Sequence, residues 1–320
     1  MACVLSAKCE NINQLPENVL LDIFQWLNVR DLCIISRVCR KWRRVANDNH
    51  LWRHVNLRSH KLGVQKVWKI IRAHFSDALR TLELTGFMNR DVKNRAKHSL
   101  TTAMMHDLSQ RCPRLQTLHL AHMDLKSLSS SSLPSSLESL TLESCLMNQG
   151  WWQPIVESEG LPNLKTLDLE ESSKTGDGDL RDISRLPSLT CLRVNGCYRT
   201  QQRWVIDIEQ PPSLIELQIE KTHCSDVALH SIGKRLTHLR KLSLAHCHLL
   251  SPSGVCSLAA CLKDLKWLSL AALGDVDDEC LLSLKGLKCL EHLDLSGTQV
   301  TEAAVEDLKR RLPLLKFVFM

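Results

Sequence analysis

Leucines recur in a short pattern along the last three quarters of the chain. The pattern is L-x-x-L-x-L, and its copies begin at Leu79, Leu115, Leu137, Leu164, Leu189, Leu214, Leu239, Leu265, Leu290 and Leu314. The first spacing is 36 residues and the other eight lie between 22 and 27 residues. A period of this length is typical of solenoids, in which each repeat contacts only its neighbours.

Each repeat contains the signals for one strand and one helix. The alternation L-x-L places leucines on one face of a strand. In the stretch that follows one copy, 251–265, Val255, Leu258, Leu262 and Leu265 recur at helical spacing behind a Ser-Pro start. One strand and one helix cannot bury their apolar faces alone, so repeats must stack. We therefore predict an α/β solenoid over residues 79–320, with parallel strands on the concave face and helices on the convex face.

The polar positions that flank the strand leucines project from the concave face of such a solenoid. They carry more carboxylates than cations, so we expect an acidic surface. The candidate binding residues on this surface are Glu143, Asp168, Glu170, Arg193, Glu216, Glu220, Lys241 and Trp267. The alternative is that these positions are polar only for solubility. Clustering of like charges favours a binding role, because neighbouring carboxylates on a sheet cost stability.

The N-terminal segment has a different pattern. Residues 15–57 predict three short helices: Pro16 suits a first helical position, and Asp31 suits a cap for the second helix. Apolar residues recur at helical spacing within it, at Leu20, Ile23, Phe24, Leu27, Val38, Trp42 and Val45. About forty residues make a poor independent fold, so we expect the segment to bind a partner surface.

Composition excludes several classes of protein. The chain has 44% hydrophobic and 24% charged residues, no apolar run of membrane-spanning length and no N-terminal signal-peptide pattern. This predicts a cytoplasmic or nuclear protein that does not bind membranes. The 14 cysteines are scattered without a CxxC pair, which indicates reduced thiols. The His-Cys-His stretch at 246–248 cannot converge on one tetrahedral ion, so we predict no metal site and no cofactor.

Charge divides the chain in two. Residues 1–100 carry 18 Lys and Arg against 8 Asp and Glu, whereas residues 101–320 carry 23 against 27. A basic segment raises the possibility of nucleic-acid binding. Its cations at 37–44 follow a short helical pattern, for which a solvated face is the usual explanation, so we predict no nucleic-acid partner.

The N-terminal residues resemble the F-box. The match runs through Leu15-Pro16, Leu20, Ile23-Phe24, Leu27, Asp31-Leu32, Val38-Cys39, Trp42 and Leu51-Trp52. With the repeats, the chain resembles the F-box and leucine-rich-repeat family. On this basis we divide it into a flexible tail (1–12), an F-box (13–57), a linker helix (58–78) and the solenoid (79–320).

The resemblance implies a non-catalytic substrate receptor of a Skp-cullin-F-box ubiquitin ligase. The F-box would dock on a Skp-type adaptor, which bridges to the cullin and RING subunits, while the repeats would hold a protein substrate. The positions that match the adaptor-binding pattern are Leu15, Pro16, Leu20, Ile23, Phe24, Leu27, Leu32, Val38, Trp42 and Trp52. Some of these must instead form the segment's own core. The alternative function is a scaffold that binds proteins without promoting ubiquitylation.

Three further expectations follow. The repeats resemble the cysteine-containing class of leucine-rich repeats. This resemblance implies that Cys145, Cys197 and Cys247 lie inside turns and form hydrogen bonds with the backbone. We expect the substrate segment to be basic or neutral, because phosphate groups favour arginine clusters. The alternative site for an acidic group is Arg199 and Arg203 beside Trp204, where a solvated loop is the preferred interpretation. The basic insertion at 89–98 is a loop or an extra contact.

Overall fold

The computed structural model describes residues 11–60, 63–86, 100–207 and 213–320. Within these ranges, eleven strands form one sheet in chain order, and each strand pairs in parallel with its neighbours. The strands are β1 (His54–Asn56), β2 (Thr81–Thr85), β3 (Thr117–Ala121), β4 (Ser139–Glu143), β5 (Thr166–Asp168), β6 (Cys191–Arg193), β7 (Glu216–Gln218), β8 (Lys241–Ser243), β9 (Trp267–Ser269), β10 (His292–Asp294) and β11 (Phe317–Phe319).

Helices precede the sheet and cover its convex side. They are α1 (Glu17–Phe24), α2 (Val29–Ile35), α3 (Arg40–Ala46), α4 (Val64–His74), α5 (Thr102–Arg111), α6 (Gln153–Glu157), α7 (Asp177–Ile183), α8 (Trp204–Asp207), α9 (Asp226–Arg235), α10 (Pro252–Cys261), α11 (Asp278–Ser283) and α12 (Glu302–Arg311). The predicted fold class is confirmed. None of the helices within the described ranges has the length and apolar character needed to cross a bilayer.

The strand leucines form the rows of the core. Leu82, Leu118, Leu140 and Leu167 pair in register on consecutive strands, and all four are fully buried. Strand alternation turns the residues between them to the concave face. The solenoid is therefore held by one continuous apolar core rather than by separate repeat cores.

Carboxylates link successive helices. Asp226, at the start of α9, accepts hydrogen bonds from the backbone N–H of Ser251 at 2.9 Å and from its Oγ at 2.6 Å. Ser251 is itself the N-cap of α10. Asp278 makes the same pair of contacts to Thr301, the N-cap of α12. Each carboxylate thus fixes where the next helix begins.

The predicted structural role of the repeat cysteines is confirmed. The thiols of Cys145, Cys197 and Cys247 are fully buried and donate to the carbonyl oxygens of Leu120, Leu169 and Ile219 at 3.3, 3.2 and 3.0 Å. Burial raises the pKa of Cys145 and of Cys197 to about 12. These thiols therefore remain protonated and unreactive at neutral pH.

The sheet begins one repeat earlier than the leucine pattern predicts. Val55 pairs with Leu82, so Trp52, Val55 and Leu57 occupy the three leucine positions of an additional repeat. All three side chains are buried in the solenoid core. This copy departs from the leucine pattern because tryptophan and valine replace two leucines. Strand β1 lies at the end of the segment assigned to the F-box.

The register of the last repeat differs from our prediction by one residue. Leu293 pairs with Val318, which aligns Leu315, rather than Leu314, with the first leucine of the earlier copies. Leu315 is buried and Leu314 is exposed. A shift of one residue exchanges the two faces of a strand, so Phe317 and Phe319 lie on the surface instead of in the core.

The α1–α3 segment has its own small core, which abuts the solenoid. Leu51 contacts both cores, and Val29 and Cys33 of α2 pack against the solenoid core. Helix α4 lies within the predicted linker. Residues 1–10 of the predicted tail and the insertion at 89–98 lie outside the described residues.

Candidate protein-interaction surfaces

Three helices of the N-terminal segment enclose five buried side chains. These are Leu20, Phe24, Leu32, Val45 and Ala46. The ring of Phe24 meets Trp42 edge-on, with 5.3 Å between ring centroids. Such a core is small, so its stability depends on each of these contacts.

Four of the predicted adaptor contacts are buried in this structure. Leu20, Phe24 and Leu32 are at most 3% exposed and fill the three-helix core, so they have no surface to offer a partner. Trp52 belongs to the solenoid: its Nε1 donates to the carbonyl oxygen of Ala46 at 2.8 Å, and its ring stacks on His74 at 3.8 Å. These four residues are therefore buried in this structure, and their direct contact with an adaptor stays a prediction.

The other six predicted positions reach the surface to different extents. Pro16, Ile23 and Val38 are exposed, whereas the remaining three positions are partly buried, namely Leu15, Leu27 and Trp42. Lys41 in α3 donates to the carbonyl oxygen of Leu15 at 2.6 Å, which holds the entry to α1 in place. The adaptor-binding role of these six positions stays a prediction.

Two exposed apolar residues were missed. Trp26, just after α1, is 86% exposed, and Ile34 near the end of α2 is 51% exposed. With Ile23 and Val38 they leave four apolar side chains in water around the carboxyl ends of α1 and α2. We call these four residues the F-box apolar face. A large apolar side chain off the core-facing side of an amphipathic helix is the signal that would have identified Trp26.

Carboxylates at the start of the concave face are paired with cations. Glu143 accepts hydrogen bonds from Arg58 at 2.8 Å and from His119 Nε2 at 3.0 Å. Arg58 lies just after β1, in the additional repeat. The predicted acidic surface is therefore partly neutralised at this end by a residue that the repeat pattern did not place there.

A row of alternating charges crosses the middle of the concave face. Arg193 lies 3.7 Å from Asp168 and 2.9 Å from Glu216, and Lys241 lies 3.4 Å from the same Glu216. Lys241 also lies over the ring of Trp267, 4.9 Å from its centroid. The structure thus brings five of the predicted concave-face residues together in one network.

The two carboxyl groups of this network respond differently. Burial raises the pKa of Asp168, and its hydrogen bond from the Glu170 amide and the charge of Arg193 do not offset that. Burial also acts to raise the pKa of Glu216, but the Arg193 hydrogen bond and the charges of Arg193 and Lys241 together outweigh it, and the pKa is lowered. Arg193 therefore stabilises the charged form of Glu216 more than that of Asp168.

Negative charge accumulates around Glu170. Burial raises its pKa, and the charges of Asp168, Glu143, Glu171 and Glu220 raise it further. Glu220 accepts a hydrogen bond from Ser243 at 2.7 Å. A cationic segment laid across β4–β7 would relieve this repulsion.

Aromatic rings follow beyond the charged row. Trp267, His292 and Phe317 occupy the same position on three consecutive strands, and the last two rings stack with centroids 4.6 Å apart. Aromatic side chains dominate the energetics of protein interfaces. The structure therefore adds Phe317 to this surface, which the register error had placed in the core.

The alternative site for an acidic group, at Arg199 and Arg203, has no exposed indole beside it. Trp204 is fully buried, and its Nε1 donates to Gln202 at 2.7 Å. Arg203 is exposed, but the indole beside it in sequence points into the core. The indole therefore does not lie on the surface beside Arg203, so this alternative site lacks its aromatic side chain.

These features define a class of protein. Residues 12–58 match the F-box-like family, so the chain carries an F-box-like segment, whose helices precede a leucine-rich solenoid of parallel strands. It is 29% identical over 288 residues to human F-box/LRR-repeat protein 12, covering 90% of this chain and 80% of that protein. The stretches "VRD", "ISRVC" and "LWRHV" had indicated this similarity.

Two other proteins resemble the chain in part or at low identity. An F-box protein of Saccharomyces cerevisiae is 40% identical over 48 residues, which is 15% of this chain and 8% of the yeast protein. A chain in the crystal structure of the yeast Rad7 and Elc1 complex is 17% identical with a TM-score of 0.44, covering 91% of this chain and 92% of that one. Neither likeness shows what this chain binds.

Proposed function

We propose that this chain is the substrate-recognition subunit of a Skp-cullin-F-box ubiquitin ligase. The F-box apolar face would dock on a Skp-type adaptor, through which the cullin and RING subunits are reached. The solenoid would hold a protein substrate on its concave face. Ubiquitin transfer would then depend on proximity and orientation rather than on a nucleophile of this chain.

The observation that carries the proposal is the exposure of Trp26, Ile34, Ile23 and Val38. Each of these large apolar side chains is at least 40% exposed, and exposed apolar residues that form a patch mark an interaction surface. They lie on the domain that matches the F-box-like family. A few such anchors carry most of the binding energy in interfaces of ordinary size.

The substrate would lie on the concave residues Glu143, Asp168, Glu170, Arg193, Glu216, Glu220, Lys241 and Trp267. Of these, Glu170 reaches the surface, and partial desolvation followed by the charges of neighbouring carboxylates raises its pKa. A basic segment would place a cation there and apolar side chains on the aromatic rings at β9–β11. This arrangement favours an unphosphorylated basic segment over an acidic one at the concave face.

Reconstitution tests the proposal. The chain is mixed with a Skp-type adaptor, cullin and RING subunits, and adaptor capture and ubiquitylation of bound proteins are both measured. Ile34→Asp should abolish both activities. The control Val227→Asp, at a 68% exposed position on α9, should preserve them. Adaptor capture without ubiquitylation of any bound protein would indicate a scaffold, and no capture would refute the F-box assignment.

A further inference from the structure

Two adjacent clefts open on the rim of the solenoid where it meets the F-box-like domain. Their volumes are about 310 Å³ and about 250 Å³, and both are lined by Arg80 and Arg114. The larger cleft extends to Lys165, and the smaller one reaches His50 and Arg53. We call the two clefts together the rim groove.

The repeat brings its arginines together from distant points in the sequence. Arg53 and Arg80 precede strands β1 and β2, and the backbone N–H groups of Arg80 and Thr81 donate to the Arg53 carbonyl oxygen at 2.8 and 3.1 Å. The backbone N–H groups of Gln116 and Thr117 donate to the Arg80 carbonyl oxygen in the same way, so Gln116 is equivalent to Arg80 in the next repeat. Arg114 lies two residues before Gln116 and lines both clefts. Neighbouring strands are about 4.8 Å apart, which places the three backbone positions along one edge.

The positive charge of the groove is largely uncompensated. Arg80 Nη1 donates to the backbone carbonyl oxygens of Asp77, Ala78 and Leu79 at 2.7 to 3.1 Å, which orients the guanidinium without neutralising it. Among the described residues, neither Arg53 nor Arg114 forms a salt bridge with a carboxylate.

Within the described part of the chain, two carboxylates line the groove. Glu138 is paired with Lys165 at 2.7 Å, and its pKa is lowered by the hydrogen bond and charge of that lysine. The other carboxylate is that of Asp77. The three arginines therefore face one remaining carboxylate, and the groove favours an anionic ligand.

We propose that the rim groove binds a phosphorylated segment of a protein partner. The planar guanidinium fork matches phosphate oxygens, and arginine clusters are the usual recognition device for phosphorylated motifs. The larger cleft is at the lower end of the volume range for ligand sites and the smaller one is just below it, which suits one or two side chains of an extended peptide. The lining of both clefts contains no Phe, Tyr or Trp on which bases stack, which favours a peptide over single-stranded RNA.

The groove lies at the amino ends of the strands, apart from the acidic network that follows Glu143 on the concave face. The carboxylates that disfavour phosphate on the concave face therefore do not line it. Because the groove does not include the F-box apolar face, its binding is measured without the adaptor. Failure of this proposal would leave the proposed ligase function standing.

Fluorescence anisotropy with the full chain tests the proposal. The probes are a fluorescein-labelled Gly-Ser peptide carrying two adjacent phosphoserines and the same peptide without phosphate. Only the phosphopeptide should bind, and Arg53→Glu/Arg114→Glu should weaken that binding by at least about tenfold. The matched control is Arg240→Glu, an exposed arginine that precedes β8 as Arg80 precedes β2, and it should leave the affinity unchanged. Arg80 is kept because it holds backbone carbonyl groups.

Several results would overturn the proposal. These are equal binding of the two peptides, an equal loss in the Arg240→Glu control, absence of phosphopeptide binding, or tighter binding of a single-stranded RNA that displaces the phosphopeptide. Circular dichroism establishes whether the double charge reversal is folded. If it is not, Arg53→Gln/Arg114→Gln replaces it, with the same tenfold loss expected.

Discussion

Trp26 and Phe24 are two residues apart and have opposite environments, so replacing each by alanine separates the surface of the F-box-like domain from its core. Trp26 is 86% exposed, and Phe24 is 2% exposed. Trp26→Ala removes few intramolecular contacts, so the free energy of unfolding should change by less than about 0.5 kcal/mol. The same replacement at Phe24 removes a ring from the centre of three helices.

The cost at Phe24 is large relative to the domain. Replacement of a buried Phe by Ala typically costs about 3–5 kcal/mol, and here it also removes the edge-on contact with Trp42. A segment the length of residues 12–58 supplies roughly 2–7 kcal/mol at typical stability per residue. Phe24→Ala should therefore unfold the three helices locally while the solenoid remains folded.

Adaptor binding should be lost in both variants for different reasons. If Trp26 is an interface anchor, Trp26→Ala costs at least about 2 kcal/mol of binding, or about 30-fold in Kd. Titration calorimetry with a Skp-type adaptor measures the affinity, and urea unfolding followed by circular dichroism measures stability. Val227→Ala, an exposed apolar residue on α9, is the control and should change neither quantity.

Two results would refute this reasoning. Wild-type affinity of Trp26→Ala would remove Trp26 from the adaptor interface. A loss of stability in Trp26→Ala comparable to that of Phe24→Ala would show that the indole packs against the protein rather than facing solvent.

Three further predictions concern the solenoid. Gly254→Ala should destabilise the chain by about 1–3 kcal/mol, because the new Cβ would lie 2.1 Å from a carboxylate oxygen of Asp226. Gly178→Ala would place its Cβ where no atom lies within 4 Å, so it should stabilise the chain by up to about 1 kcal/mol. Thermal unfolding measures both changes. At pH 8 iodoacetamide should modify Cys289 but leave Cys197 unmodified by mass spectrometry, because burial raises the Cys197 pKa to about 12; equal labelling would contradict this. Glu170→Gln should stabilise by a few tenths of a kcal/mol at pH 7. The pKa of Glu170 is raised in the folded chain, so its carboxyl group binds a proton more tightly there than in the unfolded chain. The stability gained by Glu170→Gln should therefore vanish as pH falls through the folded-state pKa towards the ordinary value of 4.5, which urea unfolding at several pH values measures.

The sequence predicted the solenoid well because its signal is repeated. An error in one copy of L-x-x-L-x-L does not change the period, and stacking forces every copy into the same register. The two misplaced copies are at the ends, where substitutions at Trp52 and Val55 or an adjacent leucine pair at 314–315 obscure the pattern. Interior repeats have neighbours on both sides that fix their register, and end repeats have one.

The interaction surfaces were less predictable because they depend on the environment of each side chain. Leu20 and Ile23 have the same apolar character and helical spacing, yet the first is fully buried and the second is exposed. The rim groove was also absent from the sequence pattern, since Arg53, Arg80 and Arg114 lie in three different repeats. Only the backbone pairing between repeats shows that they are neighbours.

Trp52 joins the two parts of the chain and thereby fixes their relation. It fills the first core position of the additional repeat, donates to the carbonyl oxygen of Ala46 in α3, and stacks on His74 of α4. One buried side chain thus contacts the F-box-like helices, the first strand and the first convex helix. A flexible linker would let a bound segment sample many positions relative to an adaptor, whereas this packing holds the concave face at a set position. Proximity catalysis gains most from such fixed orientation, so under the proposed function the additional repeat would direct transfer to a defined part of a bound protein.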